Sequence, residues 1–365
     1  MTKTPAPQAP PFCPNPGCPF HTAPAGWRYQ RDGFHSRKVA PHRVQRYRCC
    51  HCRRRFSDQT FLLTYWLKRP ELLLPTFHGL LSCSCLRQIA RAQECSPQTV
   101  LLHANRLGRH CQLFHEQLRP KDGITETVAM DGFFSFEYSQ FHPTSYNVLV
   151  GRKSYFLHGF TVTELRRSGT MTKAQQVYRR ENEARLGRPD PRGTEKDCAE
   201  LLCIVAPRPQ SLVLHTDEHR DYPRAIARAT HLEIAHHTIS SRAARTPANP
   251  IFSVNLNDML TRHTGANHKR ETIAFPKRRQ MAIWRMAVFM VWRNYMKWAS
   301  ERRHRDTPAM RLGLTDHRLT PKEVLMERLF PSRVRLPERW SEYYWGKVRS
   351  REIPNGREHA LKYAA

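Results

Sequence analysis

The chain has 365 residues, and its Lys plus Arg count of 60 against 31 Asp plus Glu gives a formal net charge of +29. The length allows about two to three domains with one sizeable core. A charge of that size argues against a chain with no polyanionic partner; nucleic acid is the first expectation and an anionic membrane surface the second.

No stretch reads as a bilayer span. The most apolar helical segment, Val288 to Trp298, is broken by Arg293 and Lys297, which makes it too polar. The opening MTKTPAPQAPP is Pro-rich and lacks the apolar segment of a secretory signal. A soluble, cytoplasmic, nucleoid-associated protein is therefore expected. In a reducing compartment the 11 cysteines read as metal ligands or core residues rather than disulfides.

Residues 1–11 read as a disordered tail. Cys13 and Cys18 follow, then Cys49 and Cys52 in the phrase Cys49-Cys50-His51-Cys52. Zinc prefers four soft ligands in a tetrahedron, and two short chelating turns supply two each. A structural zinc ribbon over 12–60 is the expectation, held by Cys13, Cys18, Cys49 and Cys52. His21, Cys50 and His51 stand close enough to substitute. Arg28, Tyr29, Arg46 and Tyr47 suit basic ribbon strands.

Residues 61–120 read as an all-α unit. Thr64 to Ser82 has helical character, and two shorter helices follow. Leu86, Ile89 and Ala90 form one face of the first. Ser96 is a good N-cap and Pro97 a good first residue for the second, whose buried face continues through Val100, Ala104 and Leu107. Two helices joined across Cys95 make a helix-turn-helix pattern. In that geometry Gln98, Thr99, His103 and Arg106 face a DNA groove; an ordinary helical bundle gives the same apolar spacing.

From residue 124 to 305 the pattern becomes α/β. Strands are expected at Thr125–Asp131, Tyr146–Val150 and Ser154–Val162. A basic helical stretch at Thr170–Arg185 and a helix at Asp197–Val205 follow. Ser211–His215 is a short apolar run ending on Thr216-Asp217, then comes a helix from Asp221 and a fifth strand, His231–Ala235. This is the order expected of a ribonuclease H-like α/β fold. A carboxylate at the carboxyl end of a central strand lies where open α/β sheets place their chemistry. Val254–Arg262 is helical in tone and puts Asn255 and Asp258 on one face. Asp131, Asp217 and Asp258 together suit two Mg²⁺ ions about 4 Å apart for phosphoryl transfer at DNA. Taken singly, each also reads as a turn cap, an N-cap or a solvated helix residue.

His263–Lys277 is basic, and Arg262, Lys269, Arg270 and Lys277 are expected on phosphates. Arg278–Arg305 reads as one long helix whose stripe Trp284, Val288, Val291, Trp292, Tyr295 and Trp298 packs on the sheet. Short helices and a basic tail fill 306–365.

With these residues assembled, the chain resembles a DDE transposase of the short bacterial insertion-sequence type that begins with a zinc ribbon and a helix-turn-helix. The phrases that carry this are Phe12–Cys18, Tyr47–Ser57, Met130-Asp131-Gly132, Thr216-Asp217 with Tyr222, and Arg270–Lys277. The similarity covers about residues 12 to 330. It implies a Mg²⁺- or Mn²⁺-dependent enzyme that binds the double-stranded ends of a mobile element, cuts, and joins the freed 3′-hydroxyl to target DNA as a homo-oligomer. Asp131 and Asp217 match the first two acidic residues of the triad. Asn255 falls where the third, a glutamate, usually stands, and Asp258 is the nearest carboxylate. Either Asp258 takes the role, or the site runs with an amide, or the chain is a transposase-derived DNA-binding protein that no longer cuts. A nuclease of the same fold that does not rejoin strands is a further alternative.

Overall fold

The computed structural model describes residues 9–353, so most of the expected 1–11 tail and the end of the basic tail lie outside the described residues. At the N-terminus, β1 (Tyr29–Ser36), β2 (Arg43–Cys49) and β3 (Arg55–Ser57) form an antiparallel sheet in that order. Such a small sheet has little apolar area. Its core is the stacked aromatics Trp27, Tyr47 and Phe56 together with the cysteines. The far end of the chain braces it: Phe330 packs edge-on against Phe12, and the His21 ring shares a 2.8 Å hydrogen bond with the Ser332 hydroxyl.

Next come α1 (Leu73–Leu80), α2 (Leu86–Ala92) and α3 (Pro97–Leu118). The helix expected from Thr64 begins nine residues later, at Leu73, after a 3-10 turn at Pro70–Leu72. Trp66 takes a left-handed φ of 60°, and Pro70 disfavours helical geometry in the residue before it. The α2–α3 turn is as the capping chemistry predicts. The Ser96 side chain accepts a hydrogen bond from the Thr99 amide at 3.2 Å, and Pro97 is the first helical residue. Helix α3, however, runs 22 residues, well past Leu107. Beyond its first turns it is a core helix lying along α8 (Arg279–Val291).

The larger sheet has the order β6-β5-β4-β7-β8. Strands β4 (Val128–Phe136), β5 (Pro143–Gly151) and β6 (Leu157–Glu164) form an antiparallel meander. β7 (Gln210–Thr216) runs parallel to β4, and β8 (Leu232–Thr238) parallel to β7. Helices α4 (Lys173–Leu186), α5 (Gly193–Val205) and α6 (Asp221–Arg228) fall between them in sequence. β5 and β6 are buried almost throughout, as expected when helices cover both faces of a sheet. α7 (Phe252–Thr264) lies on β4 and β5.

The long helix expected over Arg278–Arg305 is α8 followed by a single π turn, Trp292–Met296. Asn294 explains the break. Its amide both accepts from the Leu157 N–H and donates to the Leu157 carbonyl, each at 2.8 Å. Inserting a residue into the helical ladder to reach that strand end is a recognised cause of a π turn. The apolar residues of α8 serve two cores. Ala282, Ile283, Met286 and Phe289 face the sheet, whereas Val288, Val291 and Tyr295 join the core of α1 and α3. The expected stripe thus packs mainly on helices rather than on the sheet. Short helices α9 (Pro308–Arg311), α10 (Pro321–Met326) and α11 (Glu338–Trp345) close the fold. Among the described residues no helix is long and apolar enough to cross a membrane.

Where α3 crosses α8 the backbones touch at Gly108. A Cβ there would stand 2.3 Å from Trp284 Cβ and 2.7 Å from its Cα. Gly108→Ala is therefore expected to destabilise the protein by about 1–3 kcal/mol through overpacking. Urea denaturation checks this: the midpoint should fall with the slope unchanged.

Candidate functional site

The acidic group is built by register. Ala129 on β4 pairs with His215 on the parallel strand β7. Residues two further along each strand stay on the same face, so Asp131 and Asp217 come side by side. β7 stops at Thr216, leaving Asp217 at its carboxyl end as expected. β4 differs from expectation: it begins at Val128 and continues to Phe136, so Asp131 sits within the strand rather than at its end. The pairing with β5, which persists to Phe136↔Pro143, extends it.

Each carboxylate is oriented by its surroundings. Asp131 Oδ1 accepts hydrogen bonds from the Gly132 amide at 2.7 Å and from the Tyr222 hydroxyl at 3.3 Å. Asp217 Oδ1 accepts from the His219 amide at 2.9 Å. Asp258, on α7, has one carboxylate oxygen buried without a hydrogen-bond partner among the described residues.

The charges repel. Burial, and after the opposing Gly132 amide the charge on Asp217, push Asp131 up to about 6. Burial first and the Asp131 charge second raise Asp258 well above the ordinary carboxylate range, with Arg262 and Arg245 opposing. Mutual like-charge coupling of this kind marks groups that share one site. It falls on Asp258; Asn255, three residues earlier on α7 and half-buried, is neutral. The orphaned oxygen of Asp258 and the repulsion between the aspartates both fit an arrangement that a divalent cation would relieve.

Tyr222 and Arg245 join the site without having been assigned roles from the sequence. Tyr222 was detectable: it is the second residue of α6, which starts four residues after Asp217, so its ring can turn back to the strand ends. Arg245 lies in the loop after β8, and no local pattern points to it.

The cysteines converge as the spacing predicts. The ligand atoms of Cys13, Cys18, Cys49 and Cys52 lie within 4.8 Å of one another, and the Cys13 and Cys52 sulfurs are 3.5 Å apart. Zinc–sulfur bonds of about 2.3 Å put tetrahedral sulfurs about 3.8 Å apart, so the group could bind zinc. Burial drives the Cys13 thiol up. At Cys49 burial is outweighed by hydrogen bonds from the Trp27 indole and the Cys52 and His51 amides, which bring it down to about 6, favouring the thiolate that a metal needs. Of the nearby substitutes, His21 has its ring nitrogens engaged by the Cys13 carbonyl at 2.7 Å and by Ser332. His51 Nδ1 lies 3.8 Å from the Cys18 sulfur.

The residues expected on DNA divide. Gln98 is exposed and Thr99 half-buried at the start of α3. His103 and Arg106 do not face a groove. His103 is 2% exposed. Arg106 donates to the Leu63 carbonyl at 2.7 Å and to that of Tyr65. The segment before α1, at Leu63–Tyr65, wraps over that side of α3. Lys269, Arg270 and Lys277 are exposed; Arg262 is half-buried, with its guanidinium engaged by the protein.

No family model matches the sequence, and no curated protein matches it. Among solved structures, a chain in the cryo-EM structure of a simian T-cell lymphotropic virus intasome in complex with PP2A regulatory subunit B56 gamma is similar at 13% identity. That match covers 68% of this chain and 74% of that chain with a TM-score of 0.26, too low to carry an argument.

Two outcomes follow. Without metal, the folded protein keeps a proton on Asp131 between the ordinary value of 3.8 and about 6, a window in which the unfolded chain has released it. Stability therefore falls as pH rises through that window. Asp131→Asn should stabilise the protein in EDTA by up to about 3 kcal/mol at about pH 7 and by little at about pH 3; urea titrations at both values decide. Purified protein should also carry about one zinc per chain. Elemental analysis should show it lost in Cys49→Ser and kept in Cys50→Ser.

Proposed function

We propose that the chain is a metal-dependent DNA transposase with a ribonuclease H-like catalytic unit, preceded by a zinc ribbon and a helix-turn-helix unit. The observation that carries this is the convergence of Asp131, Asp217 and Asp258, from two parallel strands and a crossing helix, into one electrostatically coupled group. The sheet order, three antiparallel strands extended by two parallel ones, supports the fold reading. The charge of +29 supports a nucleic-acid partner.

In this reading the three aspartates hold Mg²⁺ or Mn²⁺, which would activate the attacking oxygen and stabilise the leaving one. The chain's own groups prepare the site. Gly132 and Tyr222 fix one oxygen of Asp131, the other having no hydrogen bond among the described residues, and the His219 amide likewise fixes one oxygen of Asp217. Exposed Lys269, Arg270 and Lys277 contact the phosphate backbone, which positions DNA without reading its sequence. Base contacts fall to the first turn of α3, with Gln98 and Thr99. Water cuts the strand at the element end, and the freed 3′-hydroxyl then attacks target phosphorus.

The test uses purified protein, Mg²⁺ or Mn²⁺, and DNA carrying the flanking element ends. Joined product is expected from the wild type and from Asn255→Ala. It should fall at least about a hundredfold in Asp217→Ala and Asp258→Ala, more than losing a residue that only orients a ligand would cost. Binding without cutting by wild type and variants alike would make the chain a DNA-binding protein instead.

A further inference from the structure

Arg262 stands one turn after Asp258 on α7 and would serve well as a phosphate contact, but its guanidinium is spent inside the protein. One terminal nitrogen donates to the His268 carbonyl at 2.7 Å and the other to the Phe134 carbonyl at 2.9 Å. Its plane lies over the Phe133 ring, 5.5 Å from the centroid. Phe133 and Phe134 belong to β4, two and three residues beyond Asp131. His268 lies in the 3-10 turn after α7, and its ring reaches back to the Ser135 hydroxyl at 3.2 Å. One side chain thus ties the helix carrying Asp258 to the strand carrying Asp131.

We infer that Arg262 is a positioning residue that holds Asp258 over Asp131 for cation binding and does not contact DNA. The need is physical. Cation binding requires Asp258 and Asp131 both ionised and close together, α7 lies directly on the strand that carries Asp131, and two like charges brought together there would repel. Two carbonyl bonds and a ring face counter that repulsion. Lysine cannot substitute, since its single ammonium lacks the planar fork that reaches two carbonyls at once.

This rests on the metal-binding reading of the aspartates, and its test separates the two. Mn²⁺ binding to the full-length protein is followed by electron paramagnetic resonance with Asp217→Ala as control, beside DNA affinity measured over a range of salt. Arg262→Ala and Arg262→Lys should both weaken Mn²⁺ binding about tenfold to a hundredfold, the usual effect of losing an outer-shell partner. Both should bind DNA with the wild-type salt dependence. A phosphate contact predicts the opposite: Arg262→Ala would lower the salt slope by about one, Arg262→Lys would restore it, and Mn²⁺ binding would not change. That result overturns the inference. A wild type that binds Mn²⁺ no better than Asp217→Ala overturns the metal reading itself, and the inference with it. Comparable melting temperatures for Arg262→Lys and wild type exclude general unfolding as the source of a Mn²⁺ defect.

Discussion

In the proposed site Asp131, Asp217 and Asp258 would repel one another once ionised, and the elements that carry them have to hold them against that repulsion. Each pKa unit by which a site raises an acid is about 1.4 kcal/mol withheld from the ionised form. The fold supplies this from elements that are stable for other reasons. The pairing of β4 with β5 runs nine residues, and it continues past Asp131, so the carboxylate rests on a strand secured on both sides of it. β7 ends one residue before Asp217 and is flanked by β4 and β8. Only Asp258 rides on a helix that could move away. A cation would reverse the sign of the problem, turning mutual repulsion into shared attraction, and would stabilise the folded state by linkage.

Helix α8 carries the load between the two larger cores. It is buried on nearly every side, its polar Arg279, Gln280 and Arg285 included. Its Arg285 donates to the Leu80 and Ser84 carbonyls, both at 3.1 Å, and so fixes the loop between α1 and α2. The same loop reaches α7, since the Cys83 amide bonds the Thr264 carbonyl at 2.8 Å. The α1–α2 loop and the helix bearing Asp258 are therefore joined by a backbone hydrogen bond.

The sequence was most legible where one physical signal governed each element. Apolar runs bounded by Pro or charge placed β5, β6, β7 and β8, and cap chemistry placed the start of α3 at Pro97. The cysteine spacing brought four thiols to one point. Reading failed where a partner distant in sequence decided the outcome. β5 extended β4 beyond Asp131, and Asn294 reached Leu157 to end a helix that its own periodicity would have continued. His103 and Arg106 were assigned outward because a helix-turn-helix pattern fixes the phase of its second helix only if nothing else covers it. The segment Leu63–Tyr65 covers it, and carbonyls without strand or helix partners drew Arg106 inward.

The third acid shows the same principle at the scale of one helical turn. By its resemblance to DDE transposases the sequence puts Asn255 where a glutamate is expected, and sequence alone leaves open whether Asn255 or Asp258 belongs to the site. Electrostatics bears on one of them only: burial and the charge on Asp131 both raise the Asp258 carboxyl, whereas a neutral amide carries no charge to be shifted. Its unsatisfied buried oxygen is costly for a residue with no ligand to meet, whereas an amide at position 255 places no charge in competition with it. A shift of one turn along the helix moves the carboxylate by about 4.5 Å, a distance that flexible, cation-bridged ligands can absorb. On the proposed reading, Asp258 supplies on that face of α7 the charge that Asn255 lacks.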